Sequence, residues 1–219
     1  MISLSEYRVL EVNSAFQGVS PEYLMEESGK ALASAVMEKA GEGNRIGLVC
    51  GAENTAGKAY VAARYLVEAN EVEVLQAVPE ERIPSDLVLK GFERVRELSR
   101  PAEGEDLSRF DVIVDALSGK DIEIDPEVYG ELVRGINALR DRVFSVDVPS
   151  GMGGEEAVRP SFTVTFHDVK EGMTPENSGE IMIRDVGIPL DAQRFVGPGE
   201  FIHYPLPGDE SHRGDNGEV

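Results

Sequence analysis

The chain has a single cysteine, half as many basic as acidic residues, no long apolar run and no internal repeat, and each shortage closes off a class of protein. One thiol, Cys50, cannot build a disulfide framework or a cysteine-based zinc site. At the end of the apolar run RIGLVC it reads as a small buried hydrophobe. No window reaches the roughly 18 uncharged apolar residues of a membrane span. The start, MISLSEYRVLEVN, lacks the basic opening and apolar centre of a secretory signal, so a cytoplasmic location is expected, with no membrane partner. With 21 basic against 41 acidic residues the formal charge is -20, which excludes a broad electrostatic grip on nucleic acid. An anionic ligand must then be held locally, by backbone N–H groups, a helix terminus or a bound cation.

What remains is a chain of 219 residues, 41% hydrophobic, enough for one sizeable core with a tail. Apolar residues recur at helical spacing through SPEYLMEESGKALASAVMEKA, with Ser20 as cap and Pro21 in the first turn. The pattern then changes to short apolar runs ending in glycine or polar residues. RIGLVCG, the helical AYVAARYLVEA and EVEVLQAV form a βαβ unit; DVIVDALSG and RVFSVDVPSG follow, with the helical PEVYGELVRGINALR between them. FTVTFHD and EIMIRDVG supply two late strands, and RPAEGEDLS, GMGGEEA and everything after Pro205 read as loop. Continuous apolar strands alternating with helices imply a largely parallel sheet covered on both faces: an α/β, three-layer αβα Rossmann-like sandwich. Ligands of such sheets bind at the carboxyl ends of the strands, near the reversal of strand order. Asn54, Asp115, Asp147 and Ser150 lie at or just beyond such ends and are expected to share one crevice.

The stretch CGAENTAGKAY, Cys50 to Tyr60, is a near miss for a triphosphate loop. The signature G-x-x-x-x-G-K-[ST] has four residues between its glycines and a hydroxyl after the lysine. Here Gly51 and Gly57 enclose five, and Ala59 replaces the hydroxyl, which disfavours a nucleotide triphosphatase.

In order along the chain stand LMEESG, CGxxNxxG with AAR, VDALSG, Ile136-Asn137, SVDVPSG, TVTF with Lys170-x-Gly172, and VGIP. Together these resemble the NAD(P)HX epimerase family, the YjeF N-terminal domain, over about residues 5 to 200. The resemblance implies interconversion of the R and S forms of NADHX and NADPHX, hydrated and damaged nicotinamide cofactors, in metabolite repair. It matches Asp147 to the family's substrate-binding, acid/base aspartate, and Asp115 and Ser150 to ligands of potassium. It implies Lys120 as the second proton-transfer group, since the family carries a lysine a few residues beyond the strand of DVIVDALSG. Gly119, with Asn54, Thr55, Ala56, Gly57, Lys58 and Asp147, falls on the dinucleotide-binding positions.

The substrate's hydroxyl-bearing C6 adjoins N1, so its stereochemistry can invert if hydroxide departs with help from the nitrogen lone pair and water returns to the other face. Such a path needs a proton-transfer group and negative charge near the ring. The family's loop reads G-x-G-N-N-G-G-D-G, and this chain departs from it: Thr55 replaces an asparagine that ligates potassium and Lys58 replaces the aspartate. Thr55 can still offer an oxygen, and Lys58 near a helix N-terminus can pair with a phosphate. The alternative is a catalytically degenerate nucleotide-binding or scaffold domain. The tail SHRGDNGEV resembles the opening of an ADP- or ATP-dependent NAD(P)HX dehydratase domain. Residues 1–205 are accordingly read as the epimerase-like domain, and 206–219 as linker and the start of a truncated dehydratase domain within a bifunctional enzyme. The resemblance further implies a homodimer through the N-terminal helices.

Overall fold

The computed structural model of the chain describes residues 1–117 and 126–203. Seven strands form one sheet: β1 (Arg45–Cys50), β2 (Glu71–Gln76), β3 (Ser99–Pro101), β4 (Val112–Ala116), β5 (Val143–Val146), β6 (Phe162–Phe166) and β7 (Glu180–Arg184). Their order is β3-β2-β1-β4-β5-β6-β7, and every pairing is parallel. The helices are α1 (Leu4–Phe16), α2 (Pro21–Ala40), α3 (Asn54–Leu66), α4 (Asp86–Glu93), α5 (Pro126–Ala138) and the short α6 (Pro175–Ser178) and α7 (Leu190–Arg194). This is the αβα sandwich expected from the strand and helix patterns. None of the described helices is long and apolar enough to cross a membrane.

Two cores follow from the two faces of the sheet. Leu48 and Cys50 of β1, Val114 and Ala116 of β4, and Val146 and Phe166 point toward α1, α2 and α3. Val49, Leu75, Ile113, Leu117 and Val143 point the other way, toward Leu132, Val133 and Ile136 of α5. Alternation of successive side chains therefore buries both faces, which is why these strands read as unbroken apolar runs.

Local chemistry sets the helix ends. Ser20 Oγ accepts from Tyr23 N at 3.2 Å, Pro21 occupies the first turn, and α2 stops at Gly41, where φ is 78°. At α1 the Ser3 and Glu6 side chains close a reciprocal capping box. Helices α2 and α3 pack closely because Gly29 carries no Cβ: one added there would overlap the Val61 side chain and stand 2.8 Å from Lys58 O. The stretch RPAEGEDLS, expected as loop, contributes β3 at its start, paired with β2 from Val74↔Ser99 to Gln76↔Pro101. Beyond α7 the chain returns to α1, where Asn13 Oδ1 accepts from Gly199 N at 2.7 Å.

Strand order reverses between β1 and β4, whose register runs Val49↔Asp115 and continues Asp115↔Ser145 into β5. The carboxyl ends of β1, β4 and β5 are thus adjacent at the switch point. That is where a ligand crevice belongs in a parallel sheet.

Candidate active site

Asp115 is the first group at this edge. It is fully buried, on the face that leads toward α5. Its Oδ2 accepts from Ser145 Oγ at 2.7 Å and Ser150 N at 3.0 Å, and its Oδ1 from Ser150 Oγ at 2.6 Å and Leu117 N at 3.3 Å. Burial pushes its carboxyl above the usual carboxylate range, against the hydrogen bonds from Ser150 and Ser145, which favour the ion. Among the described residues no basic side chain pairs with it. Asp115 and Ser150, expected together, are in direct contact.

Asp147 lies one residue beyond β5, with φ 68°. A left-handed backbone is uncommon outside glycine, and aspartate is among the side chains that tolerate it best. The conformation is held from both ends: Asp147 N donates to Val164 O at 2.8 Å, and Val148 N to Val146 O at 2.8 Å. The side chain is then fixed by three groups. Lys170 Nζ stands 2.8 Å from Oδ1, Lys58 Nζ 3.4 Å from Oδ2, and Thr165 Oγ1 donates to Oδ1 at 3.2 Å. His167, just beyond the neighbouring β6, has φ 70°, and its N donates to Arg184 O at 2.9 Å. Burial lowers its imidazole pKa.

The lysines decide the charge state of Asp147. Burial alone pushes its carboxyl up; Lys58 and then Lys170 outweigh that and hold it below the ordinary aspartate value. Lys58 is only 4% exposed, yet the nearby Asp147, Tyr7 and Glu11 raise its pKa against its own desolvation. Lys170 is wholly buried and burial lowers its pKa, with Asp147 opposing. Both ammonium groups also face aromatic rings. Lys58 Nζ lies 4.6 Å from the Phe166 centroid and 5.5 Å from that of Tyr7, and Lys170 Nζ 4.3 Å from Tyr7.

The loop after β1 divides its expected binding residues. Asn54 is exposed at the start of α3, which has no side-chain cap hydrogen bond. Thr55 is buried and, among the described residues, its Oγ1 has no hydrogen-bond partner. Ala56 is wholly buried in the core, and Gly57 sits where a Cβ would stand 2.7 Å from Met25 Sδ. Lys58 does not extend from the helix terminus toward a free phosphate as the sequence suggested. It turns inward because a buried carboxylate and two ring faces await it. Gly119 and Lys120 lie outside the described residues. Surface hollows of about 310 and 490 Å³ lie beside α5, near Leu107 and near Ala157, away from Asp147.

Sequence reasoning missed Tyr7 and Glu11, because it drew no helix over residues 4–16. Ser3 followed by Glu6, a capping-box spacing, was the available signal. Lys170 was visible as part of a motif, but not as the partner of Asp147.

The profile of the family described as YjeF-related protein N-terminus matches residues 21–172. The chain belongs to this family. Among its relatives, the bifunctional NAD(P)H-hydrate repair enzyme Nnr of Methanothermobacter thermautotrophicus is 34% identical over 95% of this chain and 44% of its own length. The enzyme of the same name from Archaeoglobus fulgidus is 33% identical over 100% of this chain and 48% of its own. The NAD(P)H-hydrate epimerase of Cenarchaeum symbiosum is 30% identical over 89% of this chain and 99% of its own length. The YjeF-related chain thus spans less than half the length of these two bifunctional relatives, and nearly the whole of the epimerase.

Proposed function

We propose that this chain is an NAD(P)H-hydrate epimerase, interconverting the R and S forms of NADHX and NADPHX. The observation that carries the reading is Asp147: an aspartate at the switch point of a YjeF-related fold, ionised by two buried lysines. An anion there stabilises the positive charge that develops on the nicotinamide ring as the C6–O bond breaks and the N1 lone pair closes the iminium. The same carboxylate accepts a proton from the water that adds to C6, and that proton combines with the departed hydroxide to leave as water, restoring the anion. The uncapped N-terminus of α3 offers N–H groups to the substrate's phosphates, in keeping with binding by Asn54 and Thr55. Gly119 and Lys120 remain part of the proposal as binding and proton-transfer residues.

The hydroxyl and carboxyl oxygens of Thr55, Asp115 and Ser150 are a donor set whose chemistry suits potassium. Thr55 Oγ1 is buried with unused lone pairs, and Ser150 Oγ donates its proton to Asp115 while keeping lone pairs of its own. Asp115 supplies a buried carboxyl group, which a bound cation would favour as the anion. No group of three or more His, Cys, Asp or Glu able to hold a metal ion occurs among the described residues. A single carboxylate with hydroxyl oxygens suits a weakly polarising monovalent ion. Thr55, Asp115 and Ser150 would hold it, and it would supply positive charge near the phosphates of the cofactor.

The same reading places the chain in the cytoplasm, pairs it with a dehydratase domain like that of bifunctional repair enzymes, and gives it a homodimeric assembly. The reading is tested by following purified R- and S-NADHX chromatographically, with potassium or a bulky cation, against the uncatalysed background. Potassium-dependent acceleration is expected. Cofactor binding without acceleration would instead favour the degenerate binding domain.

A further inference from the structure

The two ammonium groups at Asp147 are held in different ways. Lys170 Nζ has four oxygen neighbours: Asp147 Oδ1 at 2.8 Å, Phe166 O at 2.8 Å, Thr165 Oγ1 at 3.0 Å and Asp168 O at 3.2 Å. Three N–H donors are thereby fully used. Among the described residues Lys58 has one long hydrogen bond, to Asp147 Oδ2 at 3.4 Å, and otherwise faces the rings of Phe166 and Tyr7. Ring faces stabilise a cation without fixing the direction of its donors. Lys170 is an anchor; Lys58 is a counter-charge.

A second carboxyl group lies near enough to feel the charges of Lys58, Asp147 and Lys170, without an ion pair to either lysine among the described residues. Glu11 is half-buried on α1, one turn beyond Tyr7, the ring that meets both ammonium groups. The charged and titratable groups around Asp147 are Lys58 from α3, Lys170 from the turn after β6, and Tyr7 and Glu11 from α1. Arg8 adjoins Glu11, and His167 lies near Lys170. Two ammonium groups and two carboxyl groups therefore share this region, and of the two carboxyls Asp147 is the one that both lysines contact. Without Lys58, two carboxylates would share one ammonium in a nearly sealed site, and one would take up a proton.

We propose that Lys58 is a positioning residue for the epimerisation, completing a charge-balanced set with Lys170, Glu11 and Asp147 that keeps Asp147 an anion. The inference rests on the epimerase reading and adds to it a residue that acts through Asp147.

The test compares wild type, Lys58→Met, Lys58→Arg and Lys58→Met/Glu11→Gln. The readouts are kcat and KM for NADHX epimerisation from pH 5 to 9, circular dichroism for folding, and carbon NMR titration of the Asp147 carboxyl. In Lys58→Met the acid limb of kcat moves to higher pH, kcat at pH 7 falls at least tenfold and KM changes less. Lys58→Arg retains the wild-type profile. The double variant, with one ammonium and one carboxylate removed, recovers most of the lost kcat, a result that a merely structural lysine does not give. A folded Lys58→Met with the wild-type profile overturns the proposal, as does a shifted profile that Glu11→Gln leaves uncorrected. If Lys58→Met does not fold, the double variant decides: a wild-type carboxyl titration supports the balance, and a raised one refutes it. Wild type without turnover refutes the epimerase reading and, with it, a role for Lys58 in the reaction; the NMR titration then reports the charge balance alone.

Discussion

Lys170→Met removes the anchor of Asp147 while nearly preserving side-chain volume. Four acceptors now within 3.2 Å of Nζ lose the ammonium donor: two main-chain carbonyls, the Thr165 hydroxyl and one oxygen of Asp147. Breaking a buried ion pair by deleting one partner costs about 3–5 kcal/mol, because the remaining charge stays desolvated. A domain has only about 5–15 kcal/mol in total. At about 2–4 °C per kcal/mol for a chain of this size, the midpoint of thermal unfolding should fall by roughly 6–20 °C. Urea unfolding followed by circular dichroism measures the same loss as a lower midpoint at unchanged slope. Lys58→Met gives an internal comparison: with one contact at 3.4 Å, it should cost no more than about half as much. The reasoning is refuted if Lys170→Met loses less than about 1 kcal/mol, or if Lys58→Met proves the more damaging.

Further outcomes follow from the same geometry. Because the folded-state pKa of Asp147 is depressed, the unfolded chain binds more protons, so its stabilising contribution is present above about pH 4 and lost as pH falls through the folded value. The stability difference between wild type and Asp147→Asn should therefore shrink on acidification below pH 4; a constant difference in acid titrations would contradict the charge state assigned here. Potassium, relative to tetramethylammonium, should raise the unfolding midpoint of wild type, by about 2.7 kcal/mol at a hundredfold excess over Kd, and leave Asp115→Ala unchanged. Equal responses would remove Asp115 from the cation site. Gly29→Ala should destabilise by about 1–3 kcal/mol, because its methyl meets Val61 and the Lys58 carbonyl between α2 and α3. A wild-type melting curve would show that these helices separate freely.

Much of the fold was legible because both faces of the sheet are buried, so RIGLVC, DVIVDA and FTVTF announce themselves as apolar runs. Ser20 and Pro21 marked the start of α2. Helix α1 was not drawn, since its apolar face is narrow and shares the surface with exposed Leu4, Val12 and Phe16. Strand β3 is three residues long and half-exposed, with too little periodicity to read. At the site, Asp115 with Ser150 and the strand-end position of Asp147 followed from motif and topology. The inward turn of Lys58 did not, because its partners come from α1, β5 and β6, remote in sequence. A lysine beside glycine reads as a phosphate ligand until the buried carboxylate is placed next to it.

The most direct test of the central claim is the rate at which purified protein interconverts R- and S-NADHX, measured for wild type and Asp147→Asn side by side with folding checked. Acceleration over background in wild type, lowered by orders of magnitude in Asp147→Asn, is expected. Full activity in Asp147→Asn, or no acceleration by folded wild type, would contradict it.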